Sequence, residues 1–312
     1  MQKNDQYPEL PLPPGPPLWS GIREYWQGPP QYFEKLAQTY GDVVRWRGMF
    51  TLYTINNPDD VRQILTQDYP RFIKNTIDYR VIAQSLGQGL VTSEGALWQQ
   101  QRKLMQPMFT NRTVNGFDSI INTMTAQMLQ RWEQQPADTI VWLDREMGHI
   151  AFQIVSRALF SADIDHCSDD MVEILKVINT NSQTLRAMLR LFPWLPVPSN
   201  RHFLRKKKQL DQIVLKLIEQ RRKQGGGDND MLDRLLAVRD EETGQGMSET
   251  QLRDEIVTLL LAGHETTGTA IAWTLYLLSQ HPHIEAQLVA ELTSVLSGAP
   301  ATSSVISPAY LI

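Results

Sequence analysis

Apolar residues recur every three or four positions along most of this chain, and that spacing predicts helices. Pro29–Tyr40 is one such segment, with Gly41 as its stop, and Pro58–Thr66 is a shorter one. Between them residues 43–55 are β-branched and aromatic, with Gly48 near the middle, which predicts a hairpin. Helical periods then cover 93–109, 113–134, 142–160 and 171–189. An apolar, proline-rich loop at 191–198 precedes a basic helix over 201–223, which Gly225, Gly226 and Gly227 end. Residues 231–240 predict a short helix and 242–246 a turn.

The longest helix is expected at 248–280. Ser248 opens it, Gln251 completes a capping-box pattern three residues later, and Pro282 forces an end. At 1.5 Å per residue it is roughly 50 Å long. Residues 259–261 and 271–278 leave no polar face around its middle, which predicts a central column buried on all sides. Residues 283–296 read as a last helix, and no internal repeat is present. The fold class is therefore mainly α with a small N-terminal β element.

Residues 261–270, Leu-Ala-Gly-His-Glu-Thr-Thr-Gly-Thr-Ala, interrupt the column. Glycine costs about 1 kcal/mol against alanine inside a helix, and threonine is a poor helix former. A buried element that keeps such residues uses them for packing or chemistry. Ala262 and Gly263 remove side-chain bulk, so a flat ligand could lie against the backbone. Thr266 can turn its hydroxyl to the Ala262 carbonyl, which tends to bend a helix and open it locally. Glu265 and Thr266 would then face a dry groove, where an acid–alcohol pair can relay protons. Close packing of two helices through small residues is the alternative. Glu265 favours the groove, because a carboxylate among apolar neighbours is costly without a role. A zinc site of the His-Glu-x-x-His kind is excluded, since Gly268 stands where the second histidine is required.

The chain has 312 residues, 42% of them hydrophobic, enough for a large core. Its net charge of −4 argues against a general nucleic-acid binder. The basic runs at 205–208 and 221–223 read as solvated helix faces. One cysteine, Cys167, excludes an internal disulfide and suits a reducing compartment. No apolar run is long enough for a transmembrane segment, and the polar N-terminus does not read as a signal peptide. A cytoplasmic protein is expected. The proline-rich leader at 8–17 is stiff and extended.

Residues 262–267, Ala-Gly-His-Glu-Thr-Thr, resemble the oxygen-activating helix motif of the cytochrome P450s, the haem-thiolate monooxygenases, and 247–261 resemble its lead-in. The leader is similar to that family's N-terminal hinge. Gly95-Ala-Leu-Trp98-Gln-Gln-Gln-Arg102-Lys103 resembles the helix whose tryptophan and arginine hold a haem propionate. Trp98 and Arg102 are four apart, so they share a helix face, and both are donors suited to a carboxylate. Taken alone, they would make an ordinary cation–π pair. The resemblance covers 1–291 as the N-terminal two-thirds of a single cytochrome P450 domain. The His-Glu-Thr-Thr variant also resembles bacterial soluble fatty-acid hydroxylases. It implies the cytochrome P450 fold without its C-terminal third and haem b as cofactor. It further implies a ferredoxin or flavin reductase as electron donor and an apolar small molecule as substrate. It assigns Trp98, Arg102, Ala262 and Gly263 to cofactor binding. Thr266 would hold the bound dioxygen by a hydrogen bond, and Glu265 would supply protons for its cleavage.

The family's ligand cysteine sits in a Phe-x-x-Gly-x-Arg-x-Cys-x-Gly loop downstream of this helix, whereas Cys167 lies upstream. Phe160 has the right spacing, but Asp163, Asp165 and Asp169 occupy the glycine, arginine and glycine positions. Cys167 is therefore not expected to bind a metal. Glu219 and Arg222 have the spacing of the family's Glu-x-x-Arg element but precede the long helix, so they read as surface charges. After Glu291 there is no charged residue, and 292–312 read as a tail outside the family, as a lost reading frame would give. The expectation is a haem-dependent monooxygenase by descent, poorly folded and silent as this chain. The alternative is a non-catalytic helical remnant that binds a hydrophobic ligand or partner. The resemblance further implies that the loop carrying Phe192, Trp194, Leu195 and Val197 covers a substrate entrance.

Overall fold

The computed structural model describes residues 11–18, 20–48, 51–161, 174, 198–225, 230–239, 244–298 and 301–302. Cys167, the loop at 191–197 and most of the helix expected at 171–189 lie outside the described residues. The chain forms two compact units, Met1–Ile73 and Lys74–Ile312.

In the first unit, helices α1 (Ile22–Gln27) and α2 (Pro29–Tyr40) precede strands β1 (Val43–Arg47) and β2 (Thr51–Ile55), and α3 (Pro58–Thr66) follows. The strands pair antiparallel, with Val43 opposite Ile55 and Arg47 opposite Thr51. Val44 and Trp46, two apart on one strand face, pack against Tyr32 and Leu36, one turn apart on α2. Tyr25 stacks on Trp46 with ring centroids 5.5 Å apart. The leader is tied to the hairpin, because Arg45 N donates to Pro14 O at 2.8 Å. A Cβ at Gly15 would overlap Arg45 O, so only glycine permits that approach.

The second unit is helical among the described residues. It contains α4 (Ile77–Leu86), α5 (Gly95–Met105), α6 (Asn111–Asn115), α7 (Asp118–Glu133) and α8 (Leu143–Phe160). It continues with α9 (Pro198–Gln224), α10 (Met231–Ala237), α11 (Glu249–Gln280) and α12 (Pro282–Leu296). The segment expected as one helix at 113–134 is split near Gly116, and α5 gives way to a 3-10 turn around Pro107. The cap of α11 forms as the sequence predicts: Gln251 N donates to Ser248 Oγ at 3.2 Å, and Ser248 N to Gln251 Oε1 at 2.9 Å. Such a cap stabilises a helix by about 1 kcal/mol.

The core is built where α11 crosses α8 and α9. Leu252, Ile256, Val257 and Leu260 pack with Phe152, Phe160, Leu210 and Ile218. The column is not buried on all sides, however. From Ala262 onward most of its residues are exposed; Trp273 is 59% accessible and Tyr276 52%. The apolar side of α12, including Val289 and Val295, is exposed as well. A second correction concerns the basic helix. Arg222 and Lys223 are solvated charges paired with Glu249 and Glu219, as expected. Arg221 is instead only 4% accessible. It donates to Asp230 at 2.8 Å, Asp233 at 2.9 Å and Phe160 O at 2.7 Å, joining α9, α10 and the end of α8.

Candidate functional site

The segment 261–270 stays within one unbroken α-helix, so the local opening expected at Thr266 does not occur. What the odd composition does is give the helix two different faces. On one, a Cβ at Gly263 would overlap Val155 Cγ2, and one at Gly268 would stand 2.9 Å from Met147 O and 3.0 Å from Gly148 Cα. Both glycines therefore bring α11 into close contact with α8. Gly263 was expected to clear space for a flat ligand; the structure turns it to the seam between helices instead. His264 lies in the same seam, its ring edge-on to Phe152 at 5.9 Å. Burial, and then His149, push its pKa down to about 4, so the imidazole is neutral at neutral pH.

The other face carries Ala262 and Thr266, one turn apart and both exposed. Thr266 Oγ1 donates to Ala262 O at 2.6 Å, the bond that the spacing anticipates. Glu265 stands beside them, partly buried.

Trp98 and Arg102 share a face of α5. The Arg102 guanidinium lies 5.3 Å from the Trp98 ring centroid, and Lys74 Nζ is 5.6 Å from the same ring. Among the described residues no carboxylate pairs with Arg102. The loop leading into α5 was not foreseen as part of the site. Its Gln88 N donates to Asp254 Oδ2 at 2.7 Å and its Leu90 N to Glu255 Oε2 at 3.0 Å. Gln101 Nε2 of α5 donates to Gln88 O at 2.6 Å. Lys74 Nζ donates to the carbonyls of Leu90, Val91 and Ser93 at 3.3, 3.0 and 3.1 Å. The sequence signal was partial: the adjacent acids Asp254 and Glu255 stand at the start of an apolar run, but nothing in the sequence marks the amides that they bind.

The mainly helical fold with one small hairpin, and the acid–alcohol turn on its longest helix, fit the resemblance of residues 262–267 to the cytochrome P450s. Comparison with known proteins agrees. The Cytochrome P450 family profile matches residues 10–306. The chain is 31% identical over 304 residues to cyclooctat-9-en-7-ol 5-monooxygenase of Streptomyces melanosporofaciens, covering 95% of this chain and 65% of that protein. It is 30% identical over 275 residues to pentalenene oxygenase of Streptomyces avermitilis, covering 87% and 60%. The crystal structure of the cytochrome P450DA haem domain is similar with a TM-score of 0.76 and 26% identity, covering 94% of this chain and 66% of that one. The chain belongs to the cytochrome P450 family. It spans 65% and 60% of the length of these two curated relatives.

Haem is the cofactor of that family, and the residues present fit it on two sides. Ala262 offers the exposed face of α11 with no bulk beyond Cβ, directly beside the Thr266 hydroxyl. Trp98 and Arg102 offer the N–H donors that a carboxylate takes. No described residue is a cysteine, so the described part of the chain supplies no axial thiolate. No described helix is long and apolar enough to cross a membrane.

Proposed function

We propose that this chain carries the oxygen-side wall and the propionate clamp of a haem-dependent monooxygenase acting on an apolar small molecule. The observation that carries the reading is the exposed face of α11, where Thr266 Oγ1 is held on Ala262 O at 2.6 Å beside Glu265. Haem, when bound, supplies the reductive activation of dioxygen, with electrons from a ferredoxin or flavin reductase. Ala262 leaves room for a flat face against the helix. The Thr266 hydroxyl, with its proton on the Ala262 carbonyl, keeps its lone pairs turned outward and can rotate to donate. Glu265, partly accessible, exchanges protons with solvent and passes them to that hydroxyl. Trp98 and Arg102 anchor one propionate from α5. The names of the bacterial relatives favour a substrate of the kind they act on, cyclooctat-9-en-7-ol or pentalenene. A cytoplasmic location is part of this proposal.

We also infer that these 312 residues alone do not turn over substrate. The family's oxygen chemistry needs a proximal thiolate. The one cysteine, Cys167, precedes α11, and Asp163, Asp165, Asp169 and Asp170 around it disfavour a thiolate.

Hemin titration of the purified chain tests both statements. Saturable binding that weakens in Trp98→Phe and Arg102→Ala is expected, with no thiolate-type Soret band on reduction under carbon monoxide. A thiolate-type band would overturn the inference of inactivity. Absence of saturable binding would overturn the haem reading. The second reading, a helical body that binds a hydrophobic partner, rests on the exposed Trp273, Tyr276 and Leu277.

A further inference from the structure

Glu255, Thr258, Ala262 and Thr266 follow one another at helical spacing, so they form one stripe along α11. Glu255 stands two turns, about 10 Å, before Ala262. The loop at 87–94 lies on the first part of that stripe. Its contact is close enough to require glycine twice. A Cβ at Gly87, whose φ is +66°, would overlap the Asp254 carboxylate. One at Gly89 would overlap Thr258 Oγ1 and sit 2.8 Å from Asp254 O.

The loop amides of Gln88 and Leu90 have no partner in a helix or sheet, and a buried N–H left unpaired is costly. The two carboxylates satisfy them. Asp254 is itself fixed from behind. Arg253 Nη1 donates to Asp254 at 2.9 Å, and Arg253 Nε donates to Asp211 of α9 at 2.8 Å. On its outer side the loop is held by Lys74, which also lies over the Trp98 ring. Gln101 then ties Gln88 to α5, next to Arg102 and within one turn of Trp98. An unbroken series of contacts thus runs from α11 through the loop to the Trp98–Arg102 pair.

Glu255 has 0% accessible surface, and its Oε1 has no hydrogen-bond partner. Burial pushes its pKa up to about 7. An apolar residue would fill that space without the desolvation cost, so the acceptor oxygen is what the acid contributes.

We propose that Asp254 and Glu255 are positioning residues that fasten the 87–94 loop to α11 and so set where Trp98 and Arg102 stand relative to Ala262 and Thr266. The proposal rests on the haem reading above. Its test combines hydrogen exchange read by mass spectrometry, which tolerates self-association, with hemin titration of the same chains. Asp254→Ala and Glu255→Leu each remove the acceptor of a loop amide. Each should raise exchange over 87–105 and weaken hemin binding by about tenfold. Exchange in α8 should stay as in the parent chain. Glu255→Gln keeps an acceptor for Leu90 N and should restore both readouts. In a Trp98→Phe/Arg102→Ala background neither acid substitution should weaken hemin binding further, because both act through the same clamp.

Unchanged exchange over 87–105 overturns the proposal. So does an equal rise in α8, which marks general loosening, or a hemin loss that adds to that of the Trp98→Phe/Arg102→Ala pair. A parent chain that binds no hemin overturns the haem reading, and the exchange pattern separates that result from a failed fastening.

Discussion

Replacing Gly263 by alanine asks whether this glycine serves helix packing or ligand clearance. Helix propensity alone favours alanine by about 1 kcal/mol. Against that, the new Cβ would overlap Val155 Cγ2 and lie 3.5 Å from Cγ1, where carbon atoms settle at about 3.5–4.0 Å. Val155 is β-branched within a helix, where one χ1 rotamer dominates, so its methyl cannot swing aside cheaply. The helices would have to part, and the Gly268 contact with Met147 O and Gly148 would loosen with them. Overpacking of this kind costs about 1–3 kcal/mol. Set against the propensity gain, a net loss of up to about 2 kcal/mol is expected. Val155→Ala deletes the obstructing methyls, so in its presence Gly263→Ala should become neutral or favourable. The assay is urea denaturation of the four chains of the double-mutant cycle, followed by far-UV circular dichroism. A coupling of about 1 kcal/mol or more is expected. If Gly263→Ala stabilises the parent chain, or the two substitutions simply add, the seam is not what requires the glycine.

Arg221→Met would leave the Asp230 carboxylate buried without its cation, and about 3–5 kcal/mol should be lost, read as a lowered denaturation midpoint; a change under 1 kcal/mol would refute the account of Arg221. Two buried groups give opposite pH slopes. Glu255 has a raised pKa of about 7 against an ordinary 4.5, so its contribution is full below about 4.5 and is lost as pH rises toward 7. His264 has a lowered pKa of about 4 against 6.5, so its contribution is full above about 6.5 and is lost as pH falls toward 4. The slopes oppose each other between about 4.5 and 6.5, and Glu255→Gln should make stability rise with pH across that window; a flat midpoint profile for this variant would count against the burial of His264. The exposed side chains around Trp273, Tyr276 and Leu277 should drive concentration-dependent association, and serine at all three should reduce it in sedimentation velocity. Identical sedimentation of the two chains would remove that face as the cause.

Features with local causes were legible in the sequence. The bounds of α11 follow from a capping box and a proline, and the Thr266–Ala262 bond follows from a four-residue step. Periodicity also tells which face wants cover, but not which element provides it, so the exposure of α11 beyond Ala262 could not be read. The partners of Asp254 and Glu255 are backbone amides of Gln88 and Leu90, far away in the chain, and an amide leaves no mark in a sequence. Arg221 reads like its neighbours Arg222 and Lys223 until Phe160 O and Asp230 are brought to it. Gly263 is a different matter. Successive helix residues point about 100° apart, so Ala262 and Gly263 could not both serve one flat ligand equally, and Gly263 is the one that takes the packing role.

The seam at Gly263 and Gly268 has a consequence for how this helix can change. With backbone against backbone on that side, α11 has a fixed rotational phase: a slip of one residue would swing the whole opposite stripe by about 100°. The glycines therefore act as an index mark for positions that never touch them. Ala262, Thr266 and Thr269 are exposed away from that seam. Selection, or a designer, can rewrite that surface for a new guest molecule without losing the angle at which it is presented.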